Sequence, residues 1–539
     1  MLVRPSPPKL TDVTESPTPA DAKHGTFSPT PPWLVEPEMM SWRDGIDDVR
    51  RQNRLIVPTL ARPPRLPPLK RLGTTLRHLG TAIGLWFVLE RRHENPRRKV
   101  ELSRRLRLAA EALGPTYVKL GQIISAGEGV FPDELVSEFA KCRDQVAPEP
   151  FAAVEATLRR ELGRDPGQVF EWIATEPLAA ASIAQVHEAR LLTGEEVVVK
   201  VQRSTVGERV GDDLRVLAWL APKLVGRIPV SALANPPALV ELFAETITEE
   251  LDFRLEAQNL LDVARVLREL GQNDWVIPRP HPQLVSPRML VMERVTGFAF
   301  DDVEAMRDAG VDTHAVVRNV MVGFLESCTL HGIFHGDFHG GNLFVQDNGT
   351  IALLDFGITG RMDEARRRAF VRLLMTASVN DVRGQLSALA ELGALPLDAD
   401  LEAVIAELGL DGPVVDPTTM TQEQLLAEMQ RVVKALLGYG ARMPKILMLF
   451  VKNMIFLSSM IGHLAPEIDL IAEVQHIAMH FAIAHGNQLA ADSGMDVVNP
   501  ADIDIDGFKA SLGVEPEVNS LTWSELRARR ELIVKRMSQ

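Results

Sequence analysis

The stretch His331–Gly357, "HGIFHGDFHGGNLFVQDNGTIALLDFG", packs three His, three Asp and six Gly into 27 residues between apolar runs. Three chemistries compete for it: a metal site, a polar loop, and a phosphoryl-transfer site. His331, His335 and His339 fall at i, i+4 and i+8, which on a helix would share one face. Gly332, Gly336, Gly340 and Gly341 interrupt that run, so it reads as a loop. A zinc centre needs ligands closing around one point, and nothing in the spacing defines such a set.

Phosphoryl transfer accounts for the residue types better. Asp337 follows His335 at two residues, Asn342 follows Asp337 at five, and Asp355-Phe356-Gly357 comes 13 residues after Asn342, across a hairpin turning at Asn348-Gly349. This is the spacing of the kinase catalytic loop, H-x-D-x-x-x-x-N followed by D-F-G. One carboxylate accepts or orients the proton of the attacking hydroxyl. A second carboxylate and an amide oxygen hold magnesium over the phosphates.

Such a site needs further parts upstream. "VVVKV" places Lys200 in an apolar strand, where an ammonium is costly unless paired. "ETITEELDFRLEAQNL", read as one helix, offers Glu245, Glu249, Glu250, Asp252 and Glu256 as partners, and Glu256 is the choice. Kinases also lay G-x-G-x-x-G-x-V over the phosphates. Aligned on Val186, the three glycine positions become Ala179, Ala181 and Ala184, within "AAASIAQV". Three Cβ methyls stiffen and crowd a loop that glycine would leave free to approach phosphate. The nucleotide is therefore expected to be held differently from that of an ordinary protein kinase.

The elements around these residues follow from periodicity. Residues 1–40 read as a disordered tail rich in Pro, Ser and Thr, with no apolar leader. Residues 41–165 read as a basic, helical extension, with Gly114-Pro115 ending one helix and starting the next. Residues 166–297 read as a sheet-containing lobe, 298–480 as a mainly helical lobe, and 481–539 as a helical tail. "MLVMERV" is read as a strand, and "AVVRNVMVGFLESCTLHG" as a helix closed by Gly332. Lys445–Ala465, the most apolar stretch, carries Lys452, Asn453, Ser458 and Ser459 and reads as a buried helix pair rather than a membrane span.

Composition bounds the rest. At 539 residues, 46% hydrophobic and 24% charged, the chain suits a folded protein of two or more domains. Two cysteines, Cys142 and Cys328, exclude a disulfide framework and read as buried thiols in a cytoplasmic protein. Net charge is −14, yet Arg50–Arg107 holds 16 Lys/Arg against 3 Asp/Glu around the apolar run Leu79–Leu89. Such a segment fits an anionic membrane surface at its inner face. Nucleic acid is excluded for want of aromatic interleaving or a reader motif.

Together these residues resemble the UbiB/AarF/ADCK family of atypical kinases, linked to isoprenoid quinone biosynthesis and lipid homeostasis. The resemblance is carried by "KLGQ" at Lys119–Gln122, the Ala-rich loop, "ELD" at Glu250–Asp252, "FPDEL" at Phe131–Leu135, and the catalytic loop with D-F-G, and covers roughly Glu101–Ala465. It implies an α+β, protein-kinase-like two-lobe fold with a helical N-terminal extension folded over the cleft. It implies ATP and Mg2+ as cofactors, with activity as an ATPase or small-molecule kinase. Asp337 becomes the catalytic Asp, Asn342 and Asp355 the metal ligands, and Lys200 with Glu256 the phosphate-holding pair. Lys119 and Gln122 would point into the site, with Lys119 near the regulatory Glu250 and Asp252. Ala179, Ala180, Ala181, Ser182, Ala184, Val186, Lys200, Glu293 and Val295 form the nucleotide-binding set. Expected partners are a nucleotide, an anionic membrane surface, a lipid or prenyl-phenol-like ligand, and a second copy of the chain.

Two departures stand out. His339-Gly340-Gly341-Asn342 replaces the family's H-P-G-N, and Ser125-Ala126-Gly127-Glu128-Gly129 replaces its S-T-R-x-D. A small-molecule phosphotransferase of the aminoglycoside or choline kinase type shares H-G-D-x-x-x-x-N, and a nucleotide-binding scaffold without transfer would share the whole pattern. K-x-G-Q and the Ala-rich loop weigh against the first, and the full set of ionisable groups against the second.

Overall fold

The computed structural model describes residues 40–89, 97–125, 132–142, 148–204, 206–224, 236–410, 435, 438–441, 444–495, 505, 509 and 517–538. Of the tail expected over 1–40, all but Met40, which is buried, lies outside them, as do residues 126–131, which hold most of the S-T-R-x-D departure and Phe131. The chain falls into two compact units. One comprises Met1–Ile228, Pro236–Thr296 and Ala352–Ile358; the other comprises Pro229–Asn235, Gly297–Ile351 and Thr359–Gln539.

The first unit begins with helices α1 (Ile46–Leu60), α2 (Leu69–Leu89), α3 (Arg97–Leu113), α4 (Pro115–Ser125), α5 (Asp133–Phe139) and α6 (Phe151–Leu162). Strands β1 (Phe170–Ile173), β2 (Ala179–Ala180), β3 (Ala184–Leu191) and β4 (Glu196–Gln202) follow. Next come α7 (Val206–Leu224), α8 (Pro236–Glu250) and α9 (Phe253–Glu269), then β5 (Trp275–Val276), β6 (Pro280–Ser286) and β7 (Met289–Glu293). The sheet order is β1-β3-β4-β7-β6, with β2 added to β3, and its ladders are antiparallel. Strand alternation sorts β4 into two faces. Val197, Val199 and Val201 join Val154 and Leu158 of α6 in one core, which leaves Lys200 on the opposite face.

The acidic run read as one helix is two. Helix α8 ends at Glu250, and Asp252 restarts the chain as the N-cap of α9, its carboxylate accepting from Arg254 N–H. Glu256 therefore stands in the first turn of a new helix. The leading helices have their own core around Leu113, Tyr117, Val118 and Phe139. Arg71 fastens them to α7: its guanidinium grips Asp213 and donates to the Leu113 carbonyl at 2.6 Å. Cys142 and Cys328 are both buried free thiols, and burial pushes Cys142 up to about 11.

The second unit contains β8 (Phe298–Ala299), α10 (Val303–Asp308), α11 (Thr313–Glu326), β9 (Ile333–His335) and β10 (Leu343–Val345). Strand β11 (Ile351–Leu353), of which Ala352 and Leu353 belong to the first unit, follows the Asn348-Gly349 turn, in which Gln346 N–H donates to the Thr350 carbonyl at 2.8 Å. Then come β12 (Thr359–Arg361), α12 (Glu364–Ser378), α13 (Val382–Glu391), α14 (Leu401–Leu408), α15 (Lys445–Leu464), α16 (Leu470–Ser493) and α17 (Trp523–Ser538). Strand β10 pairs with β8, and β9 with β12. Helix α11 runs into a π turn, Ser327–His331, which Gly332 closes at φ 65°. Buried Glu326 accepts from His480 Nε2 at 2.7 Å and His485 Nε2 at 2.9 Å, a hydrogen-bonded set that ties α16 to α11.

The helix pair expected over Lys445–Ala465 is one unbroken helix, α15. Among the described residues it is long and apolar enough to cross a membrane. Within its unit, Phe450 stacks on Phe324 and meets Phe370 edge-on. Helix α16 runs without a break through positions 480 and 481, where the sequence reading divides lobe from tail.

One buried histidine makes the first unit pH-sensitive. His281, 4% exposed, accepts through Nδ1 from the Gln283 and Leu284 amides at 3.0 Å, and burial pushes it down to about 4. A group whose folded value is depressed stabilises fully above its ordinary value near 6.5 and loses that stabilisation as pH falls toward 4. The loss amounts to about 3 kcal/mol. His281→Asn keeps an acceptor without titrating, so its stability should fall less between about pH 6.5 and 4. Urea unfolding across that range measures it; parallel declines for both proteins would refute the assignment.

Candidate functional site

The first unit holds the sheet lysine and its partners. The ladder aligns Ala179, Val186, Lys200 and Leu290 across β2, β3, β4 and β7. Cross-strand neighbours share a face, so Val186 of the Ala-rich segment flanks Lys200 directly and Ala179 lies one strand further on. Lys200 is buried, with Nζ 2.7 Å from Glu256 Oε1 and 3.2 Å from Asp355 Oδ1. Burial works to lower the lysine, but the charges of Asp355 and Glu256 outweigh it and raise it, so the ammonium keeps its proton. Burial pushes the Glu256 carboxyl up to about 7, against the pull of Lys200.

Asp355 sits at φ 52°, a conformation a non-glycine residue holds only when its surroundings impose it. Its Oδ1 accepts from Gly357 N–H at 3.1 Å, closing a short turn. Its side chain remains 46% exposed. Helix α9 secures the same segment: Asn259, one turn beyond Glu256, donates from Nδ2 to the Phe356 carbonyl at 2.9 Å. Arg50 of α1 donates to Asn259 Oδ1 at 3.2 Å, so part of the basic segment braces this helix.

Helix α4 brings Lys119 to 2.8 Å from Glu250 Oε1, with both side chains nearly buried. Asp252, expected beside Lys119, is occupied by Arg254, with Nη2–Oδ2 at 2.6 Å and Nε–Oδ1 at 3.0 Å. Gln122 is partly buried on the same helix. The glycine of "KLGQ" has a steric cause. A Cβ on Gly121 would stand 2.4 Å from Phe139 Cδ1. Forcing it in costs about 1–3 kcal/mol of overpacking.

The Ala-rich segment is a closed turn. Leu178 N–H donates to Val186 O, Ala181 N–H to Ala184 O at 2.9 Å, and Arg203 Nε to Ala181 O at 3.0 Å. Ser182 and Ala184 are buried behind it. The Ala181 amide is thus spent within the turn. Glu293 ends β7 buried, its Oε2 accepting from Arg279 N–H at 3.3 Å. Val295 follows beyond the strand and is partly buried.

The second unit holds the loop. His335 accepts through Nδ1 from Asp337 N–H at 3.2 Å and stacks on Phe338. His339 accepts through Nδ1 from Gly341 N–H at 3.1 Å, and Asn342 Nδ2 donates to the Asp337 carbonyl at 3.1 Å. Two residues from α15 complete the loop. Asn453, fully buried, donates to the His335 carbonyl and accepts from Phe338 N–H, while Lys452 pairs with Asp337 Oδ1. The sequence marks both only as polar interruptions of an apolar helix, and Asn259 only as the third residue after Glu256.

A sheet lysine paired with a helix glutamate, and a loop Asp and Asn followed by D-F-G, define a protein-kinase-like α+β fold. Residues 141–388 match the ABC1 atypical kinase-like domain. The chain is 35% identical over 372 residues to an uncharacterized protein of Mycobacterium tuberculosis, covering 67% of this chain and 75% of that one. It is 32% identical over 420 residues to the probable protein kinase UbiB of Pseudomonas paraeruginosa, covering 76% of each. A solved Mycobacterium tuberculosis protein in complex with erythromycin aligns at TM-score 0.37 and 21% identity, over 64% of this chain and 91% of that one. The chain belongs to the ABC1 atypical kinase-like family, which takes in the UbiB and AarF-domain proteins.

Ala181→Gly loosens the closed turn by about 0.5–1 kcal/mol of backbone freedom. It should change the ratio of ATP to ADP affinity severalfold in titration calorimetry. An unchanged ratio counts against a role for the turn in holding phosphate.

Proposed function

We propose that this chain is an ATP-binding, Mg2+-dependent atypical kinase or ATPase of the UbiB type, serving isoprenoid quinone or lipid metabolism. The observation that carries the reading is Lys200, buried yet held protonated between Glu256 and Asp355. No structural demand of the sheet calls for an ammonium there, whereas nucleotide phosphates do. Around it stand three carboxylates, Glu250, Glu256 and Asp355, against two ammonium groups, Lys119 and Lys200. That excess of negative charge suits a divalent cation.

The donor types fit magnesium. In the first unit Asp355 presents an exposed carboxylate; in the second, Asn342 commits its Nδ2 to a backbone carbonyl, which leaves its amide oxygen as a donor. These are the hard oxygen donors that magnesium takes. Held by such donors, the ion would neutralise charge on the nucleotide phosphates. Lys200 would orient the α/β-phosphates, Glu256 would fix Lys200, and Asp337 would align the acceptor hydroxyl. The Lys119–Glu250 pair supports the UbiB-type reading over a small-molecule phosphotransferase, since it comes from the K-x-G-Q helix.

The basic leader supports a peripheral membrane contact. Leu55 (71%), Leu66 (80%) and Leu69 (71%) are exposed beside exposed Arg51, Arg54, Arg62, Arg65, Lys70 and Arg77. Apolar side chains among arginines suit the headgroup region of an anionic bilayer.

Purified protein should hydrolyse ATP in a Mg2+-dependent manner, with a rate that responds to liposomes and prenyl-phenol-like compounds. Asp355→Asn removes a ligand charge and should abolish that activity; a variant turning over at the wild-type rate sinks the assignment. In flotation with anionic liposomes, the chain should bind in a salt-sensitive way, and Leu66→Ser with Leu69→Ser should weaken it. Absence of salt-sensitive binding refutes the membrane contact.

A further inference from the structure

Within the second unit, Glu326 and two histidines of α16 aim their ligand atoms at one another. Glu326 Oε1 lies 2.7 Å from His480 Nε2 and 2.9 Å from His485 Nε2, and all three atoms fall within 4.8 Å of one another. The histidines stand five residues apart on one helix. Side chains at that spacing diverge by about 140° around the axis. These converge on a single oxygen instead. Phe481 braces both: it meets each imidazole edge-on, with ring centroids 5.8 Å apart in each case.

Docking of α16 has another tie. Arg367 of α12 donates to the Thr329 carbonyl in the π turn at 2.8 Å and to Asp492 of α16 at 2.7 Å. Glu326 is nonetheless buried, at the last residue of α11, where the helix widens into the π turn Ser327–His331. Single π turns inside α-helices concentrate at functional sites. A carboxylate taken out of water carries a cost that a cation offsets. Imidazoles turned toward it through Nε2 present the atom by which histidine binds metal.

We propose that Glu326, His480 and His485 bind one zinc ion, which clamps α16 to the end of α11. Two imidazoles, one carboxylate and an open position are a zinc ligand set. Magnesium, which takes oxygen donors and keeps its waters, does not suit it. Tetrahedral ligands at about 2.0–2.1 Å from one ion stand about 3.3 Å apart, so the imidazoles retreat by about half an ångström from their hydrogen-bonded positions. Each ring carries its proton on Nδ1 and gives its Nε2 lone pair to the metal, so the number of ring protons is unchanged. The His480 and His485 side chains are 37% and 19% exposed, which gives the ion an entry path and leaves room for a water as fourth ligand. The π turn leads through Gly332 into β9 and the Asp337 loop, so the clamp fixes the stem on which that loop is mounted.

The test uses the full, tag-free chain, stripped with a chelator and titrated with Zn2+ in excess Mg2+, which occupies hard-oxygen sites. Wild type should retain one zinc per chain by elemental analysis after desalting, and its melting temperature should rise with zinc. Glutamine keeps an N–H donor for Glu326 but offers zinc no imidazole nitrogen. His480→Gln with His485→Gln should therefore fold as wild type does, yet lose the zinc-dependent rise and at least about tenfold in zinc affinity. His476→Gln, at an exposed position on the same helix, should leave both unchanged. Co2+ in place of zinc should give wild type visible ligand-field bands that the double variant lacks. A wild type without stoichiometric zinc, or a double variant with wild-type zinc affinity and melting shift, overturns the proposal. Should the double variant not fold, the cobalt spectrum of wild type decides: without bands of a nitrogen-ligated site the proposal falls.

Discussion

A lysine buried on a β-strand must be neutralised where it stands, and the arrangement around Lys200 follows from that demand. The β3–β4–β7 register fixes its position in the sheet. Its partner must then come from a helix that begins at the right place, which the break at Leu251–Asp252 provides. With Asp252 as N-cap, Glu256 falls in the first turn, buried against Lys200. The second carboxylate, Asp355, reaches Lys200 from a backbone bent to φ 52°, and Asn259 holds the neighbouring carbonyl. Removing either acid would leave a buried cation short of charge, a far larger cost than any exposed ion pair carries.

The same device recurs. Lys119 meets Glu250, and Lys452 meets Asp337. Each couples a long, flexible cation on one helix to an acid on a separate element. Replacing such a pair with apolar residues would often stabilise a protein, so their place here is better understood as fixing register and charge than as adding stability. The glycine of "KLGQ" belongs to the same logic. With Phe139 against it, α4 lies close on α5, and Lys119 emerges at a set height.

Much of this was legible in the residues. D-F-G, the H-x-D-x-x-x-x-N loop, the strand lysine and Glu256 are marked by the spacing of the protein-kinase signature set. The boundary between α3 and α4 at Gly114-Pro115 and the Gly332 closure follow from local signals that tertiary contacts did not override. The division between α8 and α9 was hidden because Leu251 and Asp252 interrupt a run of good helix formers without Gly or Pro. Helix α15 read as two because Lys452, Asn453, Ser458 and Ser459 look like breaks in an apolar pattern. Two of them are contacts with a loop more than a hundred residues upstream, a relation no window along the chain contains. The closed Ala181–Ala184 turn was likewise out of reach: composition indicates a stiffer loop, but only the backbone pairing places the Ala181 amide inside it.

Helix α15 has the length and apolarity of a bilayer-crossing segment, yet its two central polar residues are engaged with the loop bearing Asp337. Those engagements cannot survive insertion into lipid. Embedding this segment and assembling the His335–Phe338 loop are thus competing fates of the same twenty residues. A hydropathy plot reads the stretch as an anchor. In the folded chain the same helix, with Val451 and Ile455 exposed, carries the one ammonium and the one amide that engage the loop.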